Sequence, residues 1–306
     1  MTSVALIFPG QGAQSVGMGK EFYEASAEAR DVFDLADSSI KDLKDVVFNG
    51  PADKLTSTKY CQPGIFTSSY AAYEALKAHA KFSDIDVKFA CGLSLGECTA
   101  VAASGALSFE EALMMVESRA AFMEEACGLK KGAMAAVIGL DAERIAAICK
   151  ECGVQVANYN SPEQIVITGE AGKVAVASEA IKQAGAKRVI ALDVSGAFHS
   201  ELMRAAVTKF ESVLQAFRFM TPEFPVVSNV DGLPAHTGEA IRANLAKQIT
   251  SSVQWVRSVQ FMAKCGVTTF LEIGPGSVLK GLIRKINPEL TVHNIQKPED
   301  IDGLAL

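Results

Sequence analysis

The chain has 306 residues, of which 49% are hydrophobic and 21% charged, with a formal net charge of −6. That length suits one large domain or two smaller ones around a substantial core, and no apolar run reaches the roughly 18 to 20 residues of a membrane span. The acidic balance argues against a nucleic-acid binder, whose footprint is basic.

The N-terminal MTSVALIFPGQG lacks a basic leader region and breaks at Pro9-Gly10, so it reads as a buried first strand rather than a secretion signal. The strand Val4–Phe8 runs into a glycine-rich turn, PGQGAQSVGMG. DVKFACG is a second such strand, ending at the turn that holds Ser94. LGECTAVAASGAL follows as a small-residue helix, and a capping box at Ser108-Phe-Glu-Glu111 opens the next, FEEALMMVESRAAFMEEA. Strands entering helices through tight turns predict a parallel α/β sheet.

From 128 to 198 the pattern changes. GAMAAVIGL is a strand, DAERIAAICKECG a helix with a glycine stop, VQVANYN and QIVITGE two strands parted by Ser-Pro, AGKVAVASEAIKQAGA a second helix, and KRVIALDVS a last strand. The order β-α-β-β-α-β is that of a ferredoxin-like unit. It is expected as a small subdomain, 128–198, inserted between the segments 1–127 and 199–306 of a large catalytic domain. Strand–turn–helix units resume at EFPVVSNVDG and VTTFLEIGPGSVLKGLIRK, with no repeat and no low-complexity linker.

Seven cysteines form no regular framework, which suits reduced thiols and a cytoplasmic chain. Cys149-Lys-Glu-Cys152 has neither a second pair nor a nearby histidine, so it predicts no metal or redox site.

Gly92-Leu-Ser94-Leu-Gly96, between a strand and a helix, fits the nucleophile elbow. The turn is sharp, and side chains two positions either side of the serine would collide with strand and helix. The helix start brings the Leu95 N–H toward any oxyanion formed at the serine. A small-residue turn beneath a close-packed helix would look the same. A nucleophilic serine needs a base, and the chain has four histidines. His79 lies on a polar surface helix, His236 in a turn and His293 near the charged C-terminus. His199, in DVSGAFHSELM, stands at a strand–turn–helix junction, where α/β sheets gather active-site groups; it also fits a satisfied structural histidine.

On the helix from 109, Glu110, Glu117 and Glu124 mark the solvent face. Arg119 points about 200° away from Glu117, in the row of Ala112, Met115, Phe122 and Met123. An arginine there needs an anionic partner or a cleft, because an unpaired buried charge is costly. A structural salt bridge and a clamp for a substrate carboxylate both satisfy this. The first loop, GQGAQSVG, has Ser15 at the third glycine position of G-x-G-x-x-G and carries no G-K-[ST], so nucleotide binding is not expected. Its glycines would instead let the Gln11 backbone approach the serine as a second oxyanion donor.

FPGQGAQSVGMG, GLSLGE, ESR, NYNSP, GAFHS, SNVDG, VQW and EIGPG occur in this order across the whole chain. With them the chain closely resembles malonyl-CoA–acyl carrier protein transacylases of bacterial fatty acid synthesis and, more distantly, the acyltransferase domains of polyketide synthases. The resemblance implies an α/β-hydrolase-like core with a parallel sheet and nucleophile elbow, plus the inserted ferredoxin-like subdomain. It implies ping-pong transfer of malonyl from malonyl-CoA to the phosphopantetheine thiol of acyl carrier protein, through a malonyl-serine. Neither metal nor organic cofactor is called for. The partners are a CoA thioester and, transiently, the acidic carrier protein; nucleic acid and membrane are not expected.

Residue by residue, the resemblance makes Ser94 the nucleophile, His199 its base, Arg119 the carboxylate clamp, and Gln11 and Leu95 the oxyanion-hole amides. Gln254, in SSVQWVRS, matches the residue whose backbone carbonyl orients the histidine; Gln62 and Asn160 match cleft residues. Two departures stand out. Leu93 occupies a position where the family often has histidine. Phe198, before His199, is a bulky residue of the kind that goes with malonyl rather than methylmalonyl in polyketide acyltransferases.

An acidic carrier protein needs a local basic surface on a chain of net charge −6. Lys280, Arg284, Lys285, Lys187 and Arg188 are candidates, and read equally well as ordinary solvated charges. A serine hydrolase is the main rival, but the elbow lacks an obvious acid and a late histidine in Ser…Asp…His order. A non-catalytic docking module would form no adduct at Ser94.

Overall fold

The computed structural model describes residues 1–305. Ten strands form two sheets: β1 (Thr2–Phe8), β2 (Ile85–Gly92), β3 (Gly132–Ile138), β4 (Gln155–Ser161), β5 (Gln164–Glu170), β6 (Arg188–Ala191), β7 (Val226–Val227), β8 (Pro234–Ala235), β9 (Thr269–Ile273) and β10 (Thr291–Ile295). The main sheet has the order β10-β9-β1-β2-β7-β8. It is parallel except at β8, which returns antiparallel along β7.

β1 shows why this sheet is central. Val4 to Phe8 are all fully buried. Val4, Leu6 and Phe8 join the large core under the helices Thr58–Ala78, Leu95–Ala103 and Phe109–Leu129. Ala5 and Ile7 point the other way, into the cluster around Trp255, Val259, Met262 and Leu279. A strand covered on both faces reads as a continuous apolar run, as VALIF does. Phe8 and Gly92 are register partners, so the carboxyl ends of β1 and β2 open side by side at one edge, where open α/β sheets place ligands.

The second sheet, order β4-β5-β3-β6, is antiparallel, and its order and connections are ferredoxin-like. Ala135 and Val137 face the helices Ala142–Cys152 and Ala171–Gln183. Met134 and Ala136 lie on the opposite face with Val166, against Leu192, Val194 and Phe198. No helix of this unit covers that second face; it turns toward the Ser94 edge of the main sheet.

Two expectations needed adjusting. KRVIALDVS is a strand only over Arg188–Ala191, since a Val194 N–H to Leu192 carbonyl bond of 3.1 Å curls the chain out of the sheet. EFPVVSNVDG keeps just Val226–Val227 as strand, because Ser228 and Asn229 turn toward the serine. Between β1 and β2 lie five helices, the longest Thr58–Ala78, whose end before His79 is the one stretch expected as helix. Among the described residues no helix is long and apolar enough to cross a membrane.

Candidate active site

Ser94 sits between β2 and the helix Leu95–Ala103 with φ 53° and ψ −100°. A non-glycine residue in this region costs on the order of 1–3 kcal/mol and persists only where its surroundings hold it. The flanking glycines are a steric requirement. A Cβ on Gly92 would lie 2.0 Å from the Gly96 carbonyl carbon, and one on Gly96 would lie 2.1 Å from the Phe8 carbonyl oxygen. Gly92→Ala is therefore expected to lower stability by at least about 3 kcal/mol, the upper range for overpacking. The exposed helical Gly128, where an added Cβ meets nothing within 4 Å, should instead gain about 0.5–1 kcal/mol on replacement by alanine. Urea unfolding midpoints of the two variants check this; equal midpoints would refute the packing account.

The backbone of Ser94 is held from two sides. Its N–H donates to Asn229 Oδ1 at 2.7 Å, and its carbonyl accepts from Gln248 Nε2 at 2.9 Å. The hydroxyl oxygen is 2.8 Å from His199 Nε2 and accepts from Arg119 Nη2 at 3.0 Å. Three side chains from distant parts of the chain thus meet at one oxygen.

His199 is 4% exposed and, like Ser94, has a positive φ, 57°. Its Nδ1 faces two carbonyl oxygens, Gln248 at 3.0 Å and Ser251 at 3.1 Å. Two acceptors require Nδ1 to carry the proton, which leaves Nε2 bare toward Ser94. Burial, with the Arg119 charge adding to it, pushes the imidazole from 6.5 down to about 4. The ring is neutral at ordinary pH.

The expectation for Gln254 is corrected. Its carbonyl accepts the Ser258 N–H at 2.9 Å, as the first carbonyl of the helix Trp255–Lys264. The carbonyls facing His199 belong to Gln248 and Ser251, where the chain leaves the helix Gly238–Gln248 and turns. Carbonyls at a helix C-terminus lack intrahelical partners and are free to accept elsewhere; one at a helix start is not.

Arg119 lies in the middle of the helix Phe109–Leu129, opposite the exposed Glu110, Glu117 and Glu124, and is 1% exposed. Its guanidinium donates to Gln62 Oε1 at 2.6 Å, Gln248 Oε1 at 2.9 Å and the Ser94 hydroxyl. All three acceptors are neutral, and Nε has no partner among the described residues. The alternative of a structural salt bridge finds no carboxylate bonded to this guanidinium among the described residues.

A cavity of about 180 Å³ opens at this cluster. Gln11, Ser94, Leu95, Arg119, Asn160 and His199 border it. The Leu95 N–H, in the first turn of its helix, has no intrahelical acceptor. The first loop packs directly on the elbow, since a Cβ on Gly10 would lie 2.3 Å from the Leu93 carbonyl oxygen. Asn160 is 8% exposed, and its Oδ1 has no partner among the described residues. Leu93 packs with the Ile7 and Val227 cluster while touching the cavity. Phe198, Met134, Val166, Leu192 and Val194 form an apolar wall from the open face of the second sheet.

The sequence reading missed Glu97, Asn229, Gln248 and Ser251. Glu97 had a signal: it is the one charge in a helix whose nine residues are all buried. Gln248 had none, since a helix-terminal glutamine is unremarkable until the fold folds it back. Glu97 is 2% exposed. Burial raises it to about 7, against opposing hydrogen bonds from Gln248, Asn229 and Ser228.

A buried serine–imidazole pair beside a guanidinium, at the carboxyl edge of a parallel sheet, is an arrangement suited to acyl transfer. Residues 5–296 match the family described as acyl transferase domain, and the chain belongs to that family. It is 43% identical to a malonyl CoA-acyl carrier protein transacylase of Bacillus subtilis (strain 168), over 99% of this chain and 96% of the relative. A transacylase of the same name from Staphylococcus aureus (strain MRSA252) is 38% identical, with 99% and 98% covered. Among solved structures, an acyl-carrier-protein-S-malonyltransferase from Bartonella henselae superposes with a TM-score of 0.94 at 36% identity, covering 99% and 98% of the two chains. Another, a malonyl-transacylase in complex with its type II PKS acyl-carrier protein, gives 0.93 at 36% identity with the same coverage.

Proposed function

We propose that this chain transfers malonyl from malonyl-CoA to the phosphopantetheine thiol of acyl carrier protein through a malonyl ester on Ser94. The observation that carries the reading is the buried Arg119 guanidinium, hydrogen-bonded among the described residues only to neutral groups and touching the serine oxygen. Among the described residues no carboxylate hydrogen-bonds this guanidinium, buried Glu97 acting on it only through space, and the free carboxylate of a malonyl group supplies a direct partner with the planar geometry a guanidinium pairs best.

The steps follow from the hydrogen bonds. The Ser94 proton passes to bare His199 Nε2 as Oγ attacks the thioester carbonyl; the Gln248 and Ser251 carbonyls hold the imidazolium that forms. The backbone N–H groups of Leu95 and Gln11 receive the developing oxyanion. His199 returns the proton to the departing CoA sulfur. A pantetheine thiol then gives its proton to His199 and attacks the acyl-serine, in ping-pong order. The apolar wall from Met134 to Phe198 limits water, favouring a thiol acceptor over hydrolysis. All seven cysteines are free, in keeping with a cytoplasmic, reducing setting. The likeness to a transacylase solved with its carrier protein supports a carrier protein as acceptor here. Lys187, Arg188, Lys280, Arg284 and Lys285 are exposed and available to an acidic partner.

The test is intact mass and peptide mapping after brief exposure to malonyl-CoA. One malonyl group on Ser94, stable in buffer and discharged by a pantetheine thiol, is the expected result. No adduct, an adduct elsewhere, or rapid loss to water would overturn the proposal.

A further inference from the structure

We propose that Glu97 is a positioning residue for acyl transfer, its carboxylate being the common anchor that holds the serine, the arginine and the histidine in one fixed arrangement. The inference rests on the reading of Ser94 as nucleophile and Arg119 as carboxylate clamp.

Glu97 touches none of the reacting groups. Its Oε2 accepts from the Asn229 N–H at 3.1 Å and from Gln248 Nε2 at 2.7 Å. Those two residues make every remaining link. Asn229 accepts the Ser94 N–H through Oδ1 and donates from Nδ2 to the Gly92 carbonyl at 2.7 Å, so it spans the elbow. Gln248 donates to the Ser94 carbonyl, accepts from Arg119 through Oε1, and accepts from His199 through its backbone carbonyl. One residue therefore contacts all three functional residues, and its side-chain NH2 is shared between Ser94 and Glu97.

The chemistry fixes the direction. Because Oε2 of Glu97 is an acceptor, the nitrogen of Gln248 must face it, and the oxygen must face the guanidinium. The reverse amide orientation would set an NH2 against Arg119. Asn229 and Gln248 come from separate segments, the turn after β7 and the end of the helix Gly238–Gln248. Glu97 is the point at which both are tied to the elbow helix. Burying a carboxylate with so little exposure is costly, which a purely space-filling role would not require.

The test compares Glu97→Met, which keeps the volume and removes the acceptor, with Glu97→Gln, which keeps one acceptor oxygen. Small displacements of positioned groups can cost about 100-fold, and Glu97→Met is expected to lower malonyl-enzyme formation by about that factor. Acetyl-enzyme formation, which does not use the clamp, should fall only about tenfold, the part of that loss owed to the loosened elbow. Glu97→Gln should recover at least about tenfold of the malonyl loss. In an Arg119→Ala background, Glu97→Met should cost both acyl groups the same, smaller factor, a coupling that a double-mutant cycle reads directly.

Equal losses for both acyl groups, additive with Arg119→Ala and tracking a lowered melting temperature, would reduce Glu97 to a structural residue and overturn the proposal. Should Glu97→Met not fold, Glu97→Asp, whose carboxylate is one methylene short of Gln248, carries the same expectation. If wild-type mapping places the adduct away from Ser94, the underlying reading fails; if the adduct is on Ser94 but the coupling is absent, only the Glu97 proposal fails.

Discussion

His199→Ala is expected to slow acyl-enzyme formation about 10²- to 10⁴-fold, the range for removal of a positioned general base. Among the described residues the Ser94 proton has one acceptor, His199 Nε2 at 2.8 Å. The other close group, Arg119 Nη2, is itself a donor to the same oxygen. Without the imidazole the hydroxyl keeps its proton, and attack on the thioester becomes slow. Rapid-quench measurement of the malonyl-enzyme gives the rate, and added imidazole should restore part of it by entering the space vacated. A loss below tenfold, or no rescue in a folded variant, would mean that the proton leaves by another route.

The pH dependence separates this base from an ordinary histidine. Burial, then the Arg119 charge, holds His199 near 4 rather than 6.5. The acid limb of kcat/KM for the free enzyme should therefore lie well below pH 6.5, and Arg119→Met should move it upward by removing the second cause. Stability follows a different curve. His199 has a folded pKa below its unfolded one, so its contribution is present above pH 6.5 and lost as pH falls toward 4. Glu97 is raised from 4.5 to about 7, so its contribution is present below pH 4.5 and lost as pH rises toward 7. Between about pH 4.5 and 6.5 the two slopes oppose each other. Glu97→Gln removes one of them, and the variant's melting temperature should then fall more steeply with acid across this window than that of wild type.

Much of the site was legible because its strongest constraints are local. Gly92 and Gly96 announce the elbow, as close backbone approach admits nothing larger. Arg119 betrays itself by facing away from three exposed glutamates on one helix. Both sheets were visible in runs such as VALIF and GAMAAVI, where burial on one or two faces sets the pattern. The His199 acceptors were not legible. They are backbone carbonyls, which have no residue identity, and the resemblance pointed to Gln254, six residues from the true Gln248. Asn229 lay inside a recognised motif, but its task of holding the Ser94 N–H depends on β7 ending after two residues. Of the five helices between β1 and β2 only the end of Thr58–Ala78, before His79, was read as helix, although the buried row Ala29, Val32, Phe33 and Ala36 of Ala27–Ser39 has helical spacing and was legible.

Arg119→Ala is expected to shift acyl preference away from malonyl and toward acetyl. Removing one partner of a buried charge pair costs about 2–5 kcal/mol, equivalent to about 30- to 4000-fold in kcat/KM at about 1.4 kcal/mol per tenfold. That loss applies to malonyl-CoA, whose carboxylate would replace the neutral partners now on the guanidinium. Acetyl-CoA brings no carboxylate, so in wild type it leaves the buried charge uncompensated and gains nothing from it. The variant should therefore lose malonyl transfer far more than acetyl transfer. The comparison is robust to damage in the fold. Truncating Arg119 strips Gln62 and Gln248 of a donor and lowers stability, but that harm is shared by every acyl group and cancels in the ratio. Arg119→Lys should fall between wild type and alanine, because an ammonium keeps the charge without the two-pronged geometry. Paired kinetics with both thioesters decide the matter. Equal fractional losses would make Arg119 a support for Ser94 alone, and selectivity for a diacid would have to come from elsewhere in the cavity.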